Sequence, residues 1–230
     1  MKMLILRNGP PDASSEKSCV PIVRTKTRKF GSVLDEHWLS VRRDVMIIGA
    51  NAAGKTRWLM RLHDNAAQIW RRQPAILLRA VNPIDSWMSD ARVITFMEDA
   101  TKRSWSKIKC WERTEWLIKC VQAKKAVVML DDAHLLAGRK LDIAKRLALV
   151  AGRVVTGASQ ESRIPINLRM TLLARDPHIE ALRSDAAYDM TAMFMWIVIL
   201  CCLMAGAWQL AAVLGGMRML GRGNRAAKQS

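Results

Sequence analysis

Residues 49–56 read Gly-Ala-Asn-Ala-Ala-Gly-Lys-Thr and fit the pattern G-x-x-x-x-G-K-[ST] at every fixed position. In this pattern the backbone N–H groups of a glycine-bearing loop surround phosphates at a helix N-terminus, where unpaired donors and the helix dipole favour negative charge. The lysine is expected to reach the β- and γ-phosphates, and the threonine hydroxyl is expected to hold Mg²⁺. The pattern predicts a binding loop for ATP and Mg²⁺, formed by Gly49, Ala50, Asn51, Ala52, Ala53, Gly54, Lys55 and Thr56.

A second polar group follows a short apolar run at residues 126–130, where Asp131 and Asp132 come next. A carboxylate that ends a buried parallel strand lies at the carboxyl edge of the sheet, where nucleotides bind in open α/β folds. Asp131 is the candidate Mg²⁺ ligand, and Asp132 is the candidate group that orients or deprotonates the attacking water. Alternatively, the two acids only cap a helix after a core strand. Their position about 75 residues after the glycine loop favours the catalytic role.

The residues around these motifs predict the elements that position them. Residues 44–48 are apolar enough for a buried strand, and residues 56–70 carry apolar side chains at helical spacing. Farther along, residues 141–150 are typical of a helix and residues 153–158 of the next strand. Both motifs therefore follow predicted strands of one α/β sheet.

With these motifs, about residues 40–185 resemble the P-loop NTPases of the additional-strand class, which holds AAA+ ATPases, transposition-helper ATPases and FtsK–HerA DNA pumps. The resemblance implies a three-layer α/β sandwich with a mostly parallel sheet. Those families usually carry Asp-Glu where this chain has Asp131-Asp132. The shorter side chain withdraws the carboxylate by one methylene, which affects the expected hydrolysis rate more than nucleotide binding.

The resemblance also implies a polar sensor after the strand at 153–158 and an arginine finger beyond it. Ser159 or Gln160 would be the sensor, and Arg163 or Arg169 would be the finger. In a chain with 37 lysines and arginines, each arginine is also explained as a solvated charge. Because such a finger usually comes from a neighbouring subunit, the resemblance implies a homo-oligomer.

Residues 192–216 contain no charged side chain, and as a helix they would span about 37 Å, enough to cross a hydrocarbon core of about 30 Å. The sequence therefore predicts an N-terminal segment (1–40), an NTPase domain (41–188), a transmembrane helix (190–217) and a basic tail (218–230). Taken alone, the positive-inside rule would place the basic tail in the cytosol, which conflicts with a single pass that keeps the NTPase domain there. Because ATP is cytosolic, we expect a single pass with the NTPase domain in the cytoplasm and the tail outside.

The formal net charge of +17 predicts attraction to polyanions, either DNA or an anionic membrane surface. Residues 101–125 interleave eight lysines and arginines with Trp105, Trp111 and Trp116, a pattern that would suit single-stranded nucleic acid. The same tryptophans would also suit the lipid headgroup level or simple core packing.

Other residues with metal-binding or catalytic chemistry show no such spacing. The five cysteines lack metal-ligand spacing and are expected to be reduced. His37, His63 and His178 are scattered along the chain, and His134 is expected to be structural.

Together these features predict a membrane-anchored, cytosolic ATPase that handles DNA as a motor or helper. The rival hypothesis is a nucleotide-gated membrane switch in secretion, signalling or defence. A third possibility is a membrane scaffold in which the nucleotide is a folding cofactor.

Overall fold

The computed structural model describes residues 2–8, 19–26, 32–40, 42–71, 73–182, 197–202 and 204–206. It contains two compact units, residues 1–184 and residues 185–230. The first unit holds eight strands and seven α-helices among the described residues. The strands are β1 (Lys2–Asn8), β2 (Cys19–Lys26), β3 (Val33–Trp38), β4 (Val45–Gly49), β5 (Ala75–Arg79), β6 (Val127–Asp131), β7 (Arg153–Ala158) and β8 (His178–Leu182). The helices are α1 (Lys55–Asp64), α2 (Ala66–Trp70), α3 (Ile84–Met88), α4 (Ala91–Thr101), α5 (Cys110–Lys124), α6 (Gly138–Val150) and α7 (Ile166–Leu173).

Five strands form one parallel sheet in the order β5-β6-β7-β4-β8. The strand that leads into the glycine loop, β4, is therefore separated from the acidic strand, β6, by β7. After β4 the chain crosses to the far edge at β5, returns through β6 and β7, and then places β8 on the other side of β4. The strand order thus reverses beside β4, which is where ligands bind in open α/β sheets.

The sheet is covered on both faces, because alternate residues of β4, β5, β6 and β7 enter different cores. Met46 and Val128 contribute to a core with α5, α6 and α7, while Ile47 and Val127 contribute to a core with α1 and α2. All five residues of β6 are buried, as expected for a central parallel strand. The α/β fold with helices on both faces of a parallel sheet agrees with the predicted fold class.

The helix predicted over residues 56–70 is in fact two helices, α1 and α2, which meet at Asn65. The Asn65 side chain donates to the Arg61 carbonyl at 2.9 Å, and its backbone N–H donates to the His63 carbonyl. Asparagine competes for backbone hydrogen bonds in this way and favours helix ends. The apolar spacing continues through Asn65, so periodicity alone did not reveal the break.

The N-terminal segment, for which the sequence predicted no strands, contains an antiparallel sheet in the order β1-β2-β3. Leu4 and Val23 from this sheet, together with Leu39, are buried in the same core as α1 and α2. Most residues of these strands whose burial is described are half-exposed or exposed, so the strands lack the continuous apolar runs that mark the parallel strands.

Most of the predicted transmembrane helix at 190–217 lies outside the described residues. Of that segment, residues 197–202 are helical and residues 204–206 are also described. Within the described parts of the chain, no helix has both the length and the apolar character needed to cross a membrane. The anchor and the cytoplasmic placement of the NTPase domain therefore stay predictions.

Candidate nucleotide-binding site

The glycine loop connects β4 to α1 and has backbone angles that its small residues permit. Gly54 is the residue before α1 and has φ +89°, in the left-handed region that glycine adopts without a side-chain penalty. Gly49 ends β4 so close to β8 that a Cβ there would lie 2.6 Å from the Leu182 carbonyl oxygen. No side chain caps the start of α1, so the N–H groups of its first turn have no side-chain acceptor and are suited to bind phosphate oxygens.

Lys55 is only 5% exposed although it carries a full charge. Its ammonium donates to the carbonyl oxygens of Gly49 and Ala50, both at 2.9 Å, which folds the side chain back over the loop. An ammonium group has three donors, so these two bonds leave one for an anion. The loop and its lysine therefore form a cationic cradle suited to phosphate.

Thr56 and Asp131, which are 75 positions apart, meet beside this cradle. The Thr56 hydroxyl donates to Asp131 Oδ1 at 3.2 Å. Asp131 is 1% exposed, and its Oδ2 atom lies 3.4 Å from Arg79 Nε and accepts no hydrogen bond among the described residues. Burial and then the charge of Asp132 raise the pKa of Asp131, while Thr56 and Arg79 oppose the shift.

This pair of side chains fits a magnesium ion. Mg²⁺ prefers oxygen ligands and is usually bound through one or two carboxylates together with substrate phosphates. A cation would satisfy the buried Oδ2 of Asp131, which accepts no hydrogen bond among the described residues, and would offset the unfavourable burial of its negative charge. The structure therefore brings the two predicted metal ligands, Thr56 and Asp131, into contact, and their role as ligands stays a prediction.

A cleft of about 750 Å³ opens beside these groups. It is lined by Asn51, Ala52, Gly54, Lys55, Thr56 and Arg57, by Met60, Arg61 and Asp64 of α1, and by Asp132. Its volume lies within the range of about 300 to 1,000 Å³ that small-molecule and cofactor pockets occupy. The glycine loop and Asp132 therefore line the same cleft.

Asp132 follows β6 with φ +55°, a left-handed conformation that aspartate tolerates better than most residues. The backbone turns sharply there into the 3₁₀ turn Ala133–Leu135, so the side chains of Asp131 and Asp132 lie in different environments. Asp131 is buried beside Thr56, whereas Asp132 is half-exposed and lines the cleft. Asp131 is not a simple helix cap, because its carboxylate accepts a hydrogen bond from the Thr56 side chain of α1.

His134 links the ends of β6 and β7. Its Nδ1 atom accepts a hydrogen bond from the Ser159 backbone N–H at 3.3 Å. Burial lowers the pKa of His134, which favours the neutral ring with its proton on Nε2. This contact supports the structural role that the sequence predicts for His134.

The predicted sensor and finger residues lie after β7. Ser159 is buried, and its hydroxyl has no hydrogen-bond partner within the described parts of the chain, whereas Gln160 is exposed. Arg163 is exposed in the 3₁₀ turn Glu161–Arg163, and Arg169 is half-buried in α7. The residues that line the cleft include none of these four. Their roles stay predictions.

Two residues next to Asp131 escaped the sequence analysis. Arg79 ends β5 directly opposite Asp131 in the strand register and contributes the only charge of opposite sign recorded within 4 Å of it among the described residues. Gly157 in β7 lies beside the same carboxylate, because a Cβ there would be in ordinary van der Waals contact with Asp131 Oδ1, at 3.5 Å. Arg79 had a detectable signal, since it also ends an apolar strand.

The five-stranded parallel sheet and the glycine loop fit a P-loop NTPase. No protein-family model matches the chain, and a comparison with curated proteins finds no match.

Solved structures of P-loop ATPases and helicases are similar to the chain at low identity. It resembles the Orc1 protein of Aeropyrum pernix in complex with DNA, with 16% identity, a TM-score of 0.40 and coverage of 61% of this chain and 39% of that one. It also resembles the cytoplasmic domain of the Thermomonospora curvata type VII secretion ATPase EccC, with 16% identity, a TM-score of 0.41 and coverage of 80% and 26%. It also resembles the Pif1 helicase from Candida albicans, with 12% identity, a TM-score of 0.37 and coverage of 70% of this chain and 40% of that one. The chain spans less than half the length of each of these proteins.

Proposed function

We propose that the chain binds ATP with Mg²⁺ in this cleft and hydrolyses it. The observation that carries the proposal is the contact between Thr56 and Asp131 beside the lysine of the glycine loop. A threonine hydroxyl at the start of α1 and a buried carboxylate at the end of β6 come together beside that lysine. Together with Lys55 they supply the cation-binding and phosphate-binding groups that phosphoryl transfer requires.

Each residue has a role that follows from its position. Lys55 binds the β- and γ-phosphates as a point charge, and the N–H groups at the start of α1 bind phosphate oxygens. Thr56 and Asp131 would hold Mg²⁺, which neutralises charge on the phosphates when bound. Asp132 lines the cleft and orients or deprotonates the attacking water. Catalysis of this kind depends mainly on positioning and electrostatic stabilisation.

The finer part of the proposal is that the ATPase acts on DNA and assembles into a homo-oligomer. Seven lysines and arginines between residues 102 and 125 are exposed, and Trp111 is 58% exposed among them. Trp105 and Trp116 are instead half-buried and contact Arg113 and Phe96. One exposed indole within a basic surface supports single-stranded nucleic acid as the partner. Arg163 or Arg169 of a neighbouring copy would supply the arginine finger.

The test is ATP hydrolysis by the purified full-length chain, with and without DNA. Asp132→Asn keeps the left-handed turn, because asparagine also tolerates that conformation, and removes the carboxylate. We expect a loss of about 10²- to 10⁴-fold in the hydrolysis rate with nucleotide binding retained. Asp142→Asn, an exposed acid on α6, is the matched control and should leave the rate unchanged. Equal rates for Asp132→Asn and the unaltered chain would contradict the assigned role.

The same variant separates the motor from the nucleotide-gated switch. In a motor, Asp132→Asn stops work because each cycle needs hydrolysis. In a switch, the same change should trap the ATP-bound state and increase the fraction of the protein that is oligomeric. Very slow hydrolysis by the unaltered chain, with oligomerisation that depends on ATP, would favour the switch.

A further inference from the structure

Three side chains with metal-ligating atoms meet on the edge strand β8, away from the glycine loop. His178 and Glu180 are two positions apart in β8, so they share one face of the strand. His37 reaches them from β3 of the N-terminal sheet, 141 positions earlier in the chain than His178. One ring nitrogen of each histidine and one Glu180 oxygen lie within 4.8 Å of one another.

The two oxygens of Glu180 have separate partners. The carboxylate is 3% exposed, and Oε1 accepts a hydrogen bond from the Lys2 ammonium at 2.5 Å. Oε2 lies 3.0 Å from His37 Nε2 and 3.6 Å from His178 Nε2. The Nε2 atom of His178 is itself buried and has no hydrogen-bond partner among the described residues. One carboxylate oxygen and two imidazole nitrogens thus converge, and one nitrogen lacks a partner.

The opposite side of the His37 ring is also fixed. Its Nδ1 atom lies 3.2 Å from Asp35 Oδ2. Histidines that bind a metal usually donate their other N–H to a carboxylate or carbonyl, which fixes the ring and the tautomer. With Nδ1–H donated to Asp35, His37 would offer Nε2 to a metal ion, whereas without a metal Nε2 carries a proton and donates to Glu180 Oε2 at 3.0 Å.

We propose that His37, His178 and Glu180 bind a divalent transition metal of the Zn²⁺ type, which fastens the N-terminal sheet to strand β8. Two imidazoles and one carboxylate form a ligand set that Zn²⁺ accepts, with a fourth position for water. Around a tetrahedral ion with bonds of about 2.1 Å, ligand atoms lie about 3.4 Å apart. The separations of 3.0 and 3.6 Å from Glu180 Oε2 bracket that value.

The site is separate from the nucleotide cleft along the sheet. His178 pairs with Val45 at the start of β4, whereas the glycine loop leaves the other end of that strand at Gly49. The ion would therefore be structural, joining two sheets rather than contacting the phosphates. A purely ionic network of Lys2, Asp35, His37 and Glu180 is the competing explanation, and it requires no metal.

The test is metal titration of the full-length chain without a histidine tag, after chelator treatment and in the absence of nucleotide. We expect one Zn²⁺ per chain by calorimetry and a rise in the melting temperature with Zn²⁺. His37→Gln and His178→Gln should each weaken binding by at least tenfold, and Asp35→Asn by about 10- to 100-fold. His63→Gln is the matched control, because His63 lies in α1 and outside the cluster.

Cysteine ligation is distinguished with Co²⁺ as the probe. A site made of histidines and a carboxylate should show visible cobalt bands without the near-ultraviolet band of a cobalt thiolate. A thiolate band would overturn the proposal, as would an affinity that His37→Gln and His178→Gln leave unchanged. No stoichiometric binding by a chain with a native circular dichroism spectrum would leave only the ionic network.

Discussion

At the scale of single residues, Lys55 has the most direct consequence for nucleotide binding. Its ammonium is buried over the loop and held by two carbonyl oxygens, so it is already positioned for an anion. Lys55→Ala should weaken ATP binding by about 10- to 150-fold, the effect of losing a hydrogen bond to a charged group. Calorimetry or a fluorescent ATP analogue measures the change. Lys107→Ala, an exposed lysine, should leave ATP affinity unaltered.

The Thr56 hydroxyl allows a finer test, because its removal can be separated from a change of shape. Thr56→Val keeps the branched side chain but cannot hold Mg²⁺ or donate to Asp131, whereas Thr56→Ser keeps the hydroxyl. We expect Thr56→Val to raise the Mg²⁺ concentration needed for half-maximal hydrolysis by tenfold or more. Thr56→Ser should stay within about threefold of the unaltered chain. The readout is the hydrolysis rate across a Mg²⁺ titration, and the same Mg²⁺ dependence in both variants would exclude Thr56 as a ligand.

At the scale of elements, the glycine loop depends on a close approach between β4 and β8. A Cβ on Gly49 would meet the Leu182 carbonyl oxygen at 2.6 Å, which is backbone and cannot rotate away. At Gly157 the nearest atom is a Leu59 methyl at 2.8 Å, the far end of a flexible side chain. The two glycines therefore differ in how much an added methyl group should cost.

Gly49→Ala should lower the free energy of unfolding by about 1 to 3 kcal/mol, the usual effect of overpacking a core. Gly157→Ala is the matched variant and should lower it by less, because Leu59 can change rotamer. Urea denaturation of both proteins measures the difference. A larger loss for Gly157→Ala would mean that the contact between β4 and β8 is looser than the structure shows.

At the scale of the whole molecule, the net charge of +17 governs association with polyanions. If single-stranded DNA binds the surface of residues 102–125, Trp111 should stack on a base and contribute about 1 to 3 kcal/mol, or roughly 5- to 150-fold in affinity. Trp111→Ala should therefore weaken binding while leaving its salt dependence unchanged, since no charge is lost. Trp38→Ala is the matched control, because Trp38 is 60% exposed in β3.

Fluorescence anisotropy at several salt concentrations measures both quantities. Loss of affinity in both tryptophan variants would point to a general effect of exposed aromatic side chains. Binding that is insensitive to salt would contradict a role for the basic surface, because neutralised phosphates release counterions. The membrane anchor at 190–217 stays a separate prediction, and the DNA-binding experiment does not test it.

The placement of the two motifs at the ends of strands was predictable from the sequence because it depends on local patterns. A glycine loop followed by lysine and threonine can be recognised without tertiary structure, and two acids after an apolar run indicate the carboxyl end of a strand. Strand β7 agrees with its predicted bounds, and β4 and β6 agree to within one residue at each end. Buried parallel strands are continuous apolar runs, so their sequence signal is strong.

Contacts between distant segments were not predictable in the same way. His37 and His178 are far apart in the sequence, yet β3 and β8 bring them to one carboxylate. Arg79 and Gly157 lie beside Asp131 only because β5 and β7 flank β6 in the sheet. The sequence alone determined which residues have the chemistry for phosphate and Mg²⁺, because spacing within a loop is a local property. Only the tertiary structure decided which distant side chains share one space, because strand order and sheet packing arise from long-range burial of apolar surface.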